Sequence, residues 1–215
     1  MEMADIGGTA KGGCNRQALT EKDKIGRELF IRWCKDIGCT MRVDQMGNLF
    51  LHKAGSDDSL PPVLMGSHLD TQPTGGKFDG VYGVLGGLEV LRTLHDAGIT
   101  TKHPIEVAVW TNEEGARFSP AMVGSGVWCG EFDLEYGLSR TDKQGITIKQ
   151  ALEEIGFAGT EPCQPFPVKA AFELHIEQGP ILESLEKPIG VVKGVQGMRW
   201  YDLIIDGQPV HAGPT

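Results

Sequence analysis

The sequence lacks long apolar runs and a recognisable secretory start, and each absence excludes a class of protein. Its longest stretch without Asp, Glu, Lys or Arg covers residues 118–130, which is shorter than the roughly 18 residues that a membrane-spanning helix needs. We therefore expect no membrane association. The first residues offer neither the charged start nor the apolar core of a secretory signal, so the predicted location is the cytoplasm.

Basic clusters and paired cysteines are missing as well. The chain has 20 Lys and Arg against 29 Asp and Glu, a formal net charge of −9, and such a chain without a basic run is not expected to bind nucleic acid. Its five cysteines are odd in number and contain no Cys-x-x-Cys pattern. Neither a disulfide scaffold nor a zinc knuckle is indicated, and we interpret the cysteines as reduced thiols.

Glycine, by contrast, is abundant, with 30 residues in 215, roughly twice the usual frequency of about 7%. Many of these glycines lie in residues 66–87, on both sides of Asp79. Glycine lets a chain bend closely around an ion and lets a following helix approach a sheet, which is the role we predict for Gly83, Gly86 and Gly87. A phosphate-binding loop is the rival interpretation, but Lys77 is not followed by the Ser or Thr that this loop requires.

Apolar periodicity predicts helices that alternate with strands. Thr20 is a typical helix N-cap, and an apolar residue recurs every fourth position from Ile25 to Ile37, which predicts a half-buried helix. Further helices are predicted at residues 81–98 and 147–156, a hairpin at 39–51, and strands at 62–66, 105–110, 172–177, 189–192 and 200–205. The pattern is typical of an α/β fold with a mostly parallel sheet flanked by helices.

After Pro188, the alternation of strands and helices stops, because the last two predicted strands follow each other without an intervening helix. We therefore predict that a second domain begins near residue 196.

Possible metal ligands follow three of the predicted strands. In open α/β sheets, ligands bind beyond the carboxyl ends of the strands, so these side chains are expected to converge. Imidazoles together with carboxylates suit zinc, manganese or cobalt better than calcium. Taken singly, each candidate has an ordinary explanation: a core histidine, a helix cap for the aspartate before the 81–98 helix, or a solvated acidic loop. The candidates are His68, Asp70, Asp79, Glu113, Glu114 and His175.

Taken together, the residues resemble a known family. The motifs at residues 68–71, 75–80, 111–118 and 173–180 are similar to those of the amidase/carbamoylase branch of the M20-type metallopeptidase superfamily. That branch contains N-carbamoyl-L-amino acid hydrolases, β-ureidopropionases and allantoate amidohydrolases. The resemblance implies part of a zinc-exopeptidase-like catalytic domain for residues 1–195 and the start of a smaller α+β lid and dimerisation domain for residues 196–215.

The same resemblance implies a site for two divalent metal ions, zinc, manganese or cobalt. Asp79 would bridge the two ions, with His68 and His175 completing the first site and Glu114 binding at the second. Asp70 would hydrogen-bond the distal nitrogen of His68 and fix its tautomer.

Catalytic and substrate-binding roles are also implied. Glu113 would be the general base that takes a proton from water and passes it to the leaving nitrogen. Gln178 and Gln196 would contact the substrate, and His211 would stabilise the oxyanion, reaching across a homodimer interface.

The implied reaction is hydrolysis of the linear C–N bond of an N-carbamoyl-L-amino acid, giving the amino acid, ammonia and carbon dioxide. Members of the branch continue well past the length of this sequence, and their final metal ligand and carboxylate-binding arginine lie in that continuation. A truncated, non-catalytic metal-binding fragment is therefore the alternative hypothesis. An allantoate amidohydrolase or an M20-type peptidase is also compatible with the resemblance.

Overall fold

Five strands form one mixed sheet in the computed structural model, which describes residues 1–199, 201 and 203–214. The sheet order is β1-β2-β4-β3-β5. Strands β3, β4 and β5 run parallel, whereas the β1–β2 and β2–β4 pairs are antiparallel. The strands are β1 (Thr40–Val43), β2 (Leu49–Lys53), β3 (Val63–His68), β4 (Ile105–Trp110) and β5 (Ala170–Phe172). This arrangement confirms the predicted α/β fold.

Helices flank the sheet. They are α1 (Glu2–Asp5), α2 (Glu21–Lys35), α3 (Val81–Asp96), α4 (Val123–Trp128), α5 (Leu134–Leu138) and α6 (Ile148–Ile155), followed by the short α7 (Ile181–Ser184). Helices α2, α3 and α6 were expected from the sequence, whereas α4 and α5 lie in a connection with no clear periodicity. Among the described residues, no helix combines the length and the apolar character that crossing a bilayer requires.

The chain divides into two compact units, Met1–Ile176 and Glu177–Thr215. The sheet lies in the first unit, and α7 is the helix described in the second. Residues 189–192 form no strand, and neither do the described residues of the predicted strand at 200–205; Trp200 and Asp202 of that strand lie outside the described residues. The predicted domain boundary between residues 195 and 196 stays a prediction.

Helix α2 begins as its cap predicts, and Leu29 is buried as expected, but one residue of the predicted apolar face is exposed. The Thr20 side chain accepts a hydrogen bond from the Asp23 backbone amide. Ile25, however, is 43% exposed, while Phe30 and Cys34 are fully buried. Because each step of four residues turns about 40° past a full circle, apolar residues spaced strictly by four cannot all lie on one face.

The core lies mainly on one side of the sheet. Leu51 of β2 and Val107 of β4 join α2, α3 and α6 in one cluster of buried side chains. The alternate positions Phe50 and Ala108 belong to a smaller cluster that also holds Leu64, as the two-residue period of a strand requires.

Helix α3 packs very closely on the sheet at Gly83 and Gly87, as predicted, whereas Gly86 faces the Leu174 side chain beyond the end of β5. A Cβ atom on Gly83 would lie 2.8 Å from the Ser67 Cβ, and one on Gly87 would lie 2.9 Å from a methyl group of Val107. Real Cβ atoms do not approach so closely, so only glycine allows this separation. As a result, the start of α3 lies next to the end of β3.

Strand β5 is shorter than predicted and ends before the alternating residues 172–177 are complete. It pairs with β3 through three residues only, ending at Phe172 opposite Met65. Phe172 is 64% exposed and Leu174 is also exposed. The alternation of apolar and polar residues in this segment therefore does not correspond to a strand with one buried face. His175 therefore lies beyond the strand end rather than within the strand.

Candidate metal site

Three side chains converge where the parallel strands end. His68 is the last residue of β3, Asp79 lies just before α3, and His175 follows β5. One ligand atom from each residue lies within 4.8 Å of the others. The Asp79 Oδ1 atom is 3.4 Å from the His175 Nε2 atom and 3.9 Å from the His68 Nε2 atom. The three residues predicted to hold the first metal thus come together from three separate segments of the chain.

Both imidazoles present the same nitrogen to this site. The His68 Nδ1 atom lies 2.8 Å from the backbone carbonyl oxygen of Asp70, and the His175 Nδ1 atom lies 2.7 Å from that of Ile176. A carbonyl oxygen only accepts, so each Nδ1 carries the hydrogen and donates it. In the neutral form of each ring, the Nε2 atom then carries the lone pair, which is the form in which histidine binds a metal.

Asp70 acts differently from the prediction. Its carboxylate Oδ1 atom is 3.8 Å from the His68 Nδ1 atom, too far for a hydrogen bond, and it is the Asp70 carbonyl that holds the ring. The carboxylate instead accepts hydrogen bonds of 3.2 Å from the backbone amides of Glu113 and Glu114. Asp70 therefore fastens the segment after β4 to the segment after β3. Burial raises the pKa of its carboxyl group to about 6.

Glu113 lies beside the converging ligands. Its Oε2 atom is 3.3 Å from the His68 Nε2 atom. Burial raises the pKa of the Glu113 carboxyl group, an effect that His68 opposes and Glu114 reinforces. For His68, burial lowers the imidazole pKa, but the negative charges of Asp70 and Glu113 outweigh it and the net shift is upward. The site thus combines two nitrogen donors with a carboxylate of raised proton affinity.

Glu114 points to a different neighbour. Its Oε2 atom accepts a hydrogen bond of 2.9 Å from the Gln72 side-chain amide, and the converging group within the described residues consists of His68, Asp79 and His175. The second metal position therefore stays a prediction. Sequence reasoning missed Gln72, because nothing in its Thr-Gln-Pro context marks it as a partner of a residue more than forty positions away.

One glycine of the cluster is required by the site itself. Gly80 has φ +65°, and a Cβ atom there would fall on the imidazole ring of His68. A side chain at this position would both strain the backbone and displace a predicted ligand. The observation favours the ion-binding interpretation of the glycine cluster over the phosphate loop.

The remaining predicted site residues belong to the second unit. Gln178, Gln196 and His211 all lie within Glu177–Thr215. The His211 Nδ1 atom accepts a hydrogen bond from the Gly213 amide at 3.0 Å. Their roles stay predictions.

The donor set fits a divalent transition metal. Two neutral imidazole nitrogens and one carboxylate oxygen are ligands that zinc, manganese and cobalt accept. The preset tautomers of His68 and His175 mean that the rings need not change hydrogen-bond partners to bind the ion.

Comparison with known proteins agrees with this chemistry. The model of peptidase family M20/M25/M40 matches residues 64–212, a segment that contains all three converging ligands, and the family and the site together indicate the use of a divalent metal. An N-carbamoyl-L-amino-acid amidohydrolase of Rhizobium meliloti is 54% identical over 215 residues, covering 100% of this chain and 52% of the relative. One of Geobacillus stearothermophilus is 39% identical over 219 residues, covering 100% and 53%.

A solved structure supports the same fold. The amidase of the hydantoinase/carbamoylase family from Burkholderia multivorans matches with a TM-score of 0.86 and 63% identity, covering 86% of this chain and 45% of that chain. The chain thus spans about half the length of the curated relatives that it matches. Since the family model covers well over half of the sequence, the chain belongs to peptidase family M20/M25/M40.

Proposed function

We propose that this chain is the metal-binding part of an amidohydrolase that cleaves the ureido C–N bond of N-carbamoyl-L-amino acids. The products would be the amino acid, ammonia and carbon dioxide. The observation that carries the proposal is the convergence of His68, Asp79 and His175 beside Glu113. The printed names of the relatives from Rhizobium meliloti and Geobacillus stearothermophilus support the choice of substrate.

His68, Asp79 and His175 would hold a divalent metal, which when bound supplies Lewis acidity toward the ureido carbonyl and makes water more acidic. The chain's own contribution is to keep these donors in place. The carbonyl groups of Asp70 and Ile176 hold both rings with Nε2 facing Asp79.

Glu113 would move the proton. Its carboxylate would accept a proton from the attacking water and return it to the leaving nitrogen, so that ammonia departs as a neutral molecule. The raised pKa of Glu113 suits this exchange because proton transfer in both directions is easiest when the pKa lies near the working pH. The two hydrogen bonds that Asp70 accepts from this segment fix its backbone.

We further propose the finer features that the resemblance implies. Asp79 and Glu114 would share a second zinc, manganese or cobalt ion. Gln178 and Gln196 would bind the substrate, and His211 would stabilise the oxyanion, in a cytoplasmic homodimer. Of these residues, Gln178, Gln196 and His211 belong to the second unit.

The test is ammonia release from N-carbamoyl-L-amino acids by the metal-loaded protein. Glu113→Gln keeps the size of the side chain but removes the base, so turnover is expected to fall by about 10²- to 10⁴-fold while metal binding is retained. The control is Glu153→Gln, an equivalent change at an exposed position of α6. Metal binding without turnover would favour the non-catalytic fragment. Hydrolysis of allantoate instead would identify an allantoate amidohydrolase, and hydrolysis of a peptide would identify an M20-type peptidase.

A further inference from the structure

Arg16 is a buried cation close to the candidate metal site. It is 1% exposed, and its guanidinium donates hydrogen bonds to the carbonyl oxygens of Leu69 at 2.8 Å, Met3 at 2.8 Å and Ile6 at 2.7 Å. Burying a charged group is costly unless hydrogen bonds compensate for the lost water. Through these hydrogen bonds, Arg16 links the first residues of the chain to the segment after β3.

The backbone around Arg16 strengthens this link. The Arg16 amide donates to the Thr71 hydroxyl at 2.8 Å, and the Thr71 amide donates to the Arg16 carbonyl at 2.9 Å. Cys14 and Gly75 exchange two further backbone hydrogen bonds of 2.9 Å. The loop of residues 69–75 is thus attached to residues 14–16 at three of its positions.

This loop determines where the predicted ligands stand. Leu69, whose carbonyl receives the Arg16 hydrogen bond, lies between His68 and Asp70 in the chain. The Asp70 carbonyl in turn orients the His68 ring, and the chain continues through the loop to Asp79. A shift of the Leu69 peptide would therefore move the ring and its hydrogen-bond partner together.

We infer that Arg16 is a positioning residue for the metal site, holding the 69–75 loop so that His68 meets Asp79 at binding distance. This inference rests on the proposed function, because the position of His68 relative to Asp79 matters for activity only if the two residues bind a metal. Arg16 touches neither the converging ligand atoms nor Glu113 through any of its hydrogen bonds. Its effect is carried by Leu69 and Thr71.

Two variants separate positioning from general stability. Arg16→Lys keeps the charge but loses the planar fork that reaches several carbonyl groups. Thr71→Val removes the hydroxyl that accepts from the Arg16 amide, and Thr71→Ser, which keeps that hydroxyl, is its matched control. Leu152→Ala creates a cavity in the core where α6 packs. It therefore provides a variant that loses stability without altering the 69–75 loop.

Hydrogen–deuterium exchange of the metal-free 215-residue chain is the first measurement. Loss of hydrogen bonds from a charged donor is expected to speed exchange of the 69–75 amides by about tenfold or more in Arg16→Lys. Thr71→Val should act in the same direction, whereas Thr71→Ser and Leu152→Ala should leave the loop close to the wild type. Unchanged loop exchange in folded Arg16→Lys and Thr71→Val would overturn the inference.

The second measurement is the binding of Co²⁺ alone. Calorimetry gives its affinity, and the visible absorption of the bound ion reports the arrangement of its ligands. Arg16→Lys and Thr71→Val should bind Co²⁺ about 10- to 100-fold more weakly, with an altered spectrum, as expected when residues behind the ligands change. Wild-type affinity and spectrum in both variants would show that Arg16 is only structural and would overturn the inference. If the wild-type chain binds no Co²⁺, the proposed function fails, while faster loop exchange in the variants would still support Arg16 as the residue that holds the loop.

Discussion

Replacing Gly80 by alanine should disable the metal site without removing a ligand. The new Cβ atom would overlap the His68 ring, and the backbone at φ +65° would be strained. A left-handed conformation costs roughly 1–2 kcal/mol for a residue with a Cβ, and overpacking costs about 1–3 kcal/mol. We therefore expect a loss of about 2–5 kcal/mol, shared between folding and metal binding. Since 1.4 kcal/mol corresponds to a tenfold change in affinity, metal binding should weaken by at least about tenfold.

The assay is isothermal titration calorimetry with Zn²⁺, combined with thermal unfolding in the presence and absence of the ion. Gly76→Ala is the matched control. Gly76 lies in the same glycine-rich segment, and a Cβ atom there would meet nothing within 4 Å. Wild-type zinc affinity in Gly80→Ala, or an equal loss in Gly76→Ala, would refute the reasoning that Gly80 makes room for the His68 ring.

Two further predictions concern charges elsewhere in the first unit. Arg27→Met should lower the free energy of unfolding by about 3–5 kcal/mol, because it leaves Asp23 buried without its partner at 3.0 Å. Arg32→Met, a change on the same helix that breaks an exposed pair with Glu2 of α1, should cost less than about 1 kcal/mol. Equal losses in chemical denaturation would contradict this prediction. Burial raises the pKa of Asp44 above its ordinary value of 3.8, so the folded chain binds this proton more tightly than the unfolded chain. Its contribution to the free energy of unfolding should fall as the pH rises from 3.8 through the raised pKa, and Asp44→Asn should lack that fall; an unchanged pH slope would contradict the prediction.

The sequence predicts the parts of this structure that depend on local pattern. The cap at Thr20, the start of α6 next to Thr147, and the α/β order follow from residues close together in the chain. His68 and His175 could be placed near each other because parallel strands end at the same edge of a sheet.

Contacts that depend on exact orientation could not be predicted. Whether His68 is held by the carboxylate or by the carbonyl of Asp70 depends on shifts of about one ångström that no motif encodes. The links from Arg16 to Leu69 and from Gln72 to Glu114 join distant segments, and neither residue type is unusual in its local sequence. The outward position of Ile25 reflects the true helical period rather than the spacing by four.

The close contact between α3 and the sheet also acts as a spacer. Asp79 is carried at the beginning of α3, so its reach to His68 and His175 depends on how far the helix axis lies from β3. Gly83, in the first turn of the helix, sets that separation through its contact with Ser67. A single methyl group added at Gly83 would therefore push α3 away from β3 and lengthen the distances from Asp79 to the two histidines. The dimensions of the candidate metal site are thus set partly by residues that do not face it.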